Sequence, residues 1–174
     1  MLSGIYWYIP EKNKNMFIHA VCSALDQAEV PYAIVGGYAV ALHGAIRGTV
    51  DVDVVIQWSL KNLQDTEHAF KQIGLVSLIP ITAETLFHFR DEYIHNRNLI
   101  AWNFYDPSNP LNQVDIIINY DLKSASNAKT IKTSQGTIRI LSLNDLIHMK
   151  KASGRPQDLE DVKALVRLRG VDIA

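Results

Sequence analysis

Ile34-Val35-Gly36-Gly37-Tyr38-Ala39-Val40, followed by Arg47-Gly48-Thr49-Val50-Asp51-Val52-Asp53-Val54, sets out a strand, a glycine pair, a helix and a second strand. Tyr32 to Val35 is a short run of apolar, largely aromatic and β-branched residues, which reads as a buried strand that halts at Gly36-Gly37. The Ala-rich segment from Tyr38 to His43 predicts a short helix, closed by Gly44. Thr49 to Gln57 then alternates. Side chains along a strand alternate with period two, so Asp51 and Asp53 fall on one face and Val50, Val52 and Val54 on the other.

Two carboxylates this close repel one another, and each raises the other's pKa unless a cation sits between them. Magnesium suits such a pair, because it takes hard oxygen ligands and keeps places for water and phosphate oxygens. Asp115 opens the apolar run Val114-Asp115-Ile116-Ile117-Ile118, where a buried carboxylate is costly without a partner. If the two strands are neighbours, Asp51, Asp53 and Asp115 converge on a two-metal magnesium site. Such a site activates an attacking hydroxyl and stabilises a leaving pyrophosphate. Gly36 and Gly37 allow the backbone at the helix start to approach a triphosphate. Arg47 either meets a phosphate or pairs with Asp51 or Asp53, and Thr49 supports the metal site. Lys150 and Arg155 are assigned to phosphate or an RNA backbone, with Asp158 and Asp161 in a structural role. His43 is the histidine nearest this site.

The 174-residue chain reads as a single domain over 1–174, with a core at about 32–141 and C-terminal helices at about 142–170. Its 48% hydrophobic and 20% charged fractions are those of an ordinary globular protein, which excludes a disordered one. No apolar run approaches the roughly 20 residues that span a bilayer, so no membrane association is expected. Met1 to Pro10 is aromatic rather than basic and then apolar, which argues against a signal peptide. Tyr6, Trp7 and Tyr8 are expected to pack as an N-terminal strand. Cys22 is the single cysteine, so no internal disulfide forms; a buried structural thiol and a cytoplasmic location are expected.

Around this centre, Asn15 is placed as the cap of a helix to about Glu29, with Phe17, Val21, Leu25 and Ala28 on one stripe. Ser59 opens another helix, stopped by Gly74. The segment 75–99 predicts only a strand near Val76–Ile79 and a short helix. Ile100 to Tyr105 and Gln113 to Asn119 read as strands joined by Asp106-Pro107-Ser108-Asn109-Pro110. Thr130 to Thr133 and Thr137 to Leu141 flank Ser134-Gln135-Gly136 as a hairpin. Ser142 caps one terminal helix, Gly154 ends it, and Pro156 starts the next. Strands and helices intermix without βαβ regularity, so the fold class is α+β, a mixed β-sheet with flanking helices.

The quoted stretch resembles the signature of the DNA polymerase β-like nucleotidyltransferase superfamily. The tail Lys150-Lys151-Ala152-Ser153-Gly154-Arg155-Pro156-Gln157-Asp158-Leu159-Glu160-Asp161-Val162 is similar to that of small bacterial and archaeal members, including abortive-infection types of toxin–antitoxin pairs. The resemblance spans most of residues 32–166 and leaves 1–31 and 75–100 uncovered. It implies a nucleotidyltransferase fold, Asp51 and Asp53 as metal ligands, and Asp115 as the carboxylate that activates the acceptor hydroxyl. It also implies an antitoxin as partner.

Residues 1–122 carry 7 Lys/Arg against 13 Asp/Glu, and residues 123–174 carry 10 against 5. The basic tail favours a macromolecular acceptor, RNA or protein, although a small molecule stays open. The leading expectation is a magnesium-dependent enzyme that moves a nucleoside monophosphate from a nucleoside triphosphate such as ATP to that acceptor. The alternative is a non-catalytic nucleic-acid- or protein-binding module that keeps the fold, but such a module has no need of three carboxylates. A phosphodiesterase shares the metal chemistry and fits the glycine pair less well.

Overall fold

Strand β1 (Tyr32–Val35) is buried along its whole length, which is why its sequence is apolar without alternation. It sits near the middle of a mixed sheet in the computed structural model, which describes residues 11–123 and 127–171. The expected N-terminal strand with Tyr6, Trp7 and Tyr8 lies outside the described residues. The other strands are β2 (Val52–Ile56), β3 (Val76–Ser77), β4 (Ala101–Asp106), β5 (Asn109–Ile117), β6 (Ala128–Thr133) and β7 (Gly136–Leu141). Their order is β3-β4-β5-β2-β1-β7-β6. The β2–β5 and β1–β7 pairs are parallel and the remaining pairs antiparallel.

One face of the sheet presents Val52, Val54, Trp102, Phe104, Val114 and Ile116 to the core. Helices α1 (Glu11–Gln27), α3 (Leu60–Gln72) and α4 (Ala83–His88) supply that core with Val21, Leu25, Leu63, Phe70 and Leu86. Helix α1 is already formed at Glu11, so Asn15 lies inside it and is no cap. Ser59 does cap α3, its side chain accepting from the Asn62 amide. The segment 75–99 holds β3, α4 and α5 (Arg90–His95), two short helices where the sequence indicated one. It is pinned by Arg90, which stacks 3.9 Å over the Trp58 ring and donates through Nε to the Ile118 carbonyl at 2.8 Å. Strand β5 begins at Asn109 instead of Gln113. The Asp106 carboxylate accepts from both the amide and the hydroxyl of Ser108, at 2.8 and 2.6 Å, and tightens the predicted loop into a turn.

Helix α2 (Gly36–Leu42) leaves β1 directly, and the terminal helices α6 (Leu143–Ser153) and α7 (Pro156–Val171) meet at Gly154, whose left-handed φ of 66° makes the corner. The alternating strand predicted over Thr49–Gln57 forms only from Val52. Its partner β1 ends at Val35, opposite Asp53, and the chain then turns into α2. Residues 49–51 therefore have no ladder partner in β1, and Val50 is 47% exposed rather than buried with Val52 and Val54. Those residues fold over α2 instead. A Cβ at Gly37 would lie 2.6 Å from the Thr49 Cβ.

This contact predicts the sign of a substitution. Gly37 lies inside a helix, where alanine ordinarily stabilises by roughly 0.5–1 kcal/mol. Gly37→Ala should nevertheless destabilise by about 1–3 kcal/mol through overpacking on Thr49. Adding Thr49→Gly should recover part of that loss in urea denaturation, whereas strictly additive effects would show that the two residues do not touch.

Candidate active site

Asp53 is the one residue of β2 that is not fully buried, and its strand neighbours are apolar on both sides. The ladder sets it opposite Val35 of β1 and opposite Asp115 of β5. Residues paired across neighbouring strands point to the same face, so the two carboxylates are adjacent. Asn103 of β4 comes next in the row, opposite Asp115, and its Nδ2 donates to Asp115 Oδ1 at 2.8 Å. One oxygen of Asp115 is thus oriented and the other stays available. Gly36 completes the row from the helix side. Its φ is +64°, and a Cβ there would lie 1.9 Å from Asp53 Oδ2. Any side chain at Gly36 would displace that carboxylate.

Asp51 is placed differently. It lies at the bend before β2, outside the strand, and the Thr49 hydroxyl donates to its carbonyl at 3.3 Å. Its charge still acts on both Asp53 and Asp115. Among the described residues, no three His, Cys, Asp or Glu side chains stand grouped as a metal-ligand set. Asp53 and Asp115 fit a single hard cation by their oxygen chemistry. A second metal requires the Asp51 side chain to turn toward them.

Opposite this face stand the cations. Lys150 is buried and donates to Asp158 Oδ1 at 2.9 Å and Asp161 Oδ2 at 2.8 Å. Arg155 grips Asp158 with Nε at 2.7 Å and Nη2 at 3.3 Å, while its side chain stays 74% exposed. Arg47 pairs with Asp161 at 3.1 Å, and not with Asp51 or Asp53. Five residues thereby join the loop before β2 to the corner between α6 and α7. Burial pushes the Asp158 carboxyl up, and hydrogen bonds from Arg155, Lys150 and Ser153 outweigh it and hold the group below the usual carboxylate range. Removing Lys150 would leave two buried carboxylates short of a partner, a loss of about 3–5 kcal/mol in comparable pairs. His43 is taken up elsewhere: its Nε2 lies 2.8 Å from the Leu141 carbonyl, and burial lowers its pKa.

The carboxylates and two of these cations, Lys150 and Arg155, share an open cleft of about 390 Å³, within the size range of small-molecule sites. Asp53, Asp115, Gly36, Lys150 and Arg155 line it together. Asn103 supports it, and Ile100, Ala101, Ile117 and Met149 add an apolar part. None of these five carried a signal in the sequence, since an Asn or Ile within a strand is ordinary until the ladder shows its neighbours.

Burial first, then the charges of Asp115 and Asp51, raise the Asp53 pKa to about 6, against the opposing pull of Lys150 and Arg155. Burial also raises that of Asp115, with Asp51 adding and Asn103 opposing. A group whose pKa rises on folding favours the folded state at low pH, and that advantage is lost as pH climbs through the folded value. In metal-free buffer the protein should therefore lose stability between about pH 4 and 6 on account of Asp53, on the order of 3 kcal/mol. Asp53→Asn should melt higher than the natural protein at pH 8, with the two curves converging near pH 4. An Asn variant that melts lower at pH 8 would assign Asp53 a structural role.

No protein-family model matches the sequence, and no curated protein does. Solved structures do match the fold. An antigenic nucleotidyltransferase-like protein from Paracoccidioides brasiliensis superposes with a TM-score of 0.58 at 16% identity, covering 91% of this chain and 77% of that one. A lincosamide antibiotic adenylyltransferase, bound to lincomycin, gives 0.57 at 11% identity, covering 88% and 96%. The antibiotic-resistance factor ANT(2'')-Ia gives 0.55 at 14% identity, covering 94% and 86%. Among the described residues no helix is long and apolar enough to cross a membrane. The chain shares its mixed-sheet fold with these solved nucleotidyltransferase and antibiotic-resistance structures.

Proposed function

We propose that this protein is a nucleotidyltransferase that moves a nucleoside monophosphate from a nucleoside triphosphate to a hydroxyl group. The observation that carries the reading is the register pair Asp53–Asp115, held beside Gly36 and facing Lys150 and Arg155 across one cleft. Like charges set side by side in a half-buried row are unfavourable alone, and they become favourable when a cation joins them. Magnesium held by Asp53 and Asp115, with Asp51 as a further ligand, would supply charge stabilisation for the reacting phosphate and its leaving group.

The chain's own residues do the rest. Gly36, bare of a side chain, lets the Asp53 carboxylate lie against the β1–α2 backbone. Lys150 and Arg155 offer positive charge to the triphosphate, and Asp158 and Asp161 fix where that charge sits. Asp115, oriented by Asn103, accepts the proton of the acceptor hydroxyl. The acceptor oxygen then bonds the α-phosphorus, the bond from that phosphorus to its bridging oxygen breaks, and pyrophosphate leaves with the electron pair. The lincosamide antibiotic adenylyltransferase with this fold supports such a transfer. The toxin–antitoxin role, with an antitoxin as protein partner, and a cytoplasmic location rest on the resemblance of the Lys150–Val162 tail and on composition.

The test is transfer itself. The protein is incubated with magnesium, cell extract and each nucleoside triphosphate labelled on the α-phosphate. Label should pass to an acceptor, and label on the γ-phosphate should not. Asp53→Asn and Asp115→Asn should each lower transfer by roughly a hundredfold or more, since each removes a charge the reacting phosphate depends on. Full transfer by either variant would overturn the reading.

A further inference from the structure

The cleft that holds the carboxylates also has an apolar part. Asp115 is followed two residues along β5, on the same strand face, by Ile117, and Ile117 pairs with Ala101 of β4. Ile100, with 61% of its surface exposed, and Met149 of α6 line the cleft as well. The groups assigned to phosphate are Gly36 at the β1–α2 junction, Lys150 next to Met149 on α6, and Arg155 at the corner that follows. A molecule presenting its hydroxyl to Asp115, with phosphates at Gly36 and Lys150, must place its body over Ile117 and Ala101.

Nothing on that floor attracts a polyanion. Among the described residues, Lys150 and Arg155 are the cations that line the cleft, and both are already bonded to Asp158. Elsewhere in the basic tail Arg139 pairs with Asp26 and Lys163 with Glu160, and Lys129, Lys132 and Lys151 do not line the cleft. A nucleic-acid acceptor needs free cations along its track of phosphates. Instead the cleft carries the exposed Ile100, further apolar surface and Asn119, a neutral amide.

On the reading proposed above, we infer that the acceptor is a small, uncharged and partly apolar hydroxyl compound, seated on Ile100, Ala101, Ile117 and Met149, and not a nucleic acid. The apolar part serves as its binding surface and Asn119 as a hydrogen-bonding partner. The hydroxyl faces Asp115, to which it yields its proton as its oxygen bonds the α-phosphorus and pyrophosphate departs. An apolar floor of this kind selects by shape and dryness, while the row of carboxylates selects the reacting hydroxyl.

The test uses the full chain, magnesium and each nucleoside triphosphate labelled on the α-phosphate, with cell extract separated into RNA, protein and small-molecule fractions. Label should enter the small-molecule fraction. Ile100→Glu, at an exposed position where folding is undisturbed, should lower that labelling about tenfold or more, and Ile117→Asn should do the same. Label in the RNA or protein fraction would overturn the inference while leaving the transfer reading intact. Equal small-molecule labelling by Ile100→Glu and Ile117→Asn would also overturn it. Absence of label from all three fractions would overturn the transfer reading instead.

Discussion

Asp53 and Asp115 face the same way from neighbouring parallel strands, and the β2–β5 ladder fixes their backbones opposite one another. The backbone of both strands is fixed by apolar residues on the opposite face, among them Val52, Val54, Val114 and Ile116. Burial, with repulsion between the carboxylates added to it, is thereby held in the folded protein and surfaces as a raised Asp53 pKa. Stability is lost at a site prepared for positive charge, which is how strained or costly features concentrate where chemistry occurs.

The surrounding features follow from that row. Gly36 has no side chain because Asp53 occupies the space a Cβ would take, and Gly37 has none because Thr49 does. The glycine pair thus serves the site's own residues before any ligand arrives. Across the cleft, Asp158 and Asp161 are buried to hold Lys150, and through Arg155 and Arg47 they tie the α6–α7 corner to the loop that carries Asp51. Two facing surfaces of opposite charge are each built on a rigid element, and the gap between them is the cleft.

Much of this was legible in the residues. The unbroken apolar run Tyr32–Val35, the halt at Gly36-Gly37 and the helix that follows are local patterns, and the structure reproduces them. Asp115 stood out as a lone acid in an apolar strand. The chain gave no sign that Asp51 leaves the strand, because strand length here is limited by where β1 ends, a property of the partner and not of Thr49-Val50-Asp51. Asn103, Ile117 and Met149 were likewise silent, since their meaning comes from register and from the packing of α6. The segment 75–99 was poorly read because its short helices are held by distant contacts such as Arg90 on Trp58 and the Ile118 carbonyl. Arg155 was legible as a phosphate ligand or as a partner of Asp158; the structure bonds it to Asp158 and also sets it in the cleft wall.

The central claim is that the Asp53–Asp115 pair is a cation-binding centre that works on a nucleoside triphosphate. A crystal grown with manganese and a non-hydrolysable ATP analogue tests it most directly, because manganese replaces magnesium and scatters anomalously. The account predicts an anomalous peak in contact with Asp53 and Asp115 and with the analogue's phosphates. The analogue bound in the cleft with manganese absent from both carboxylates would contradict it.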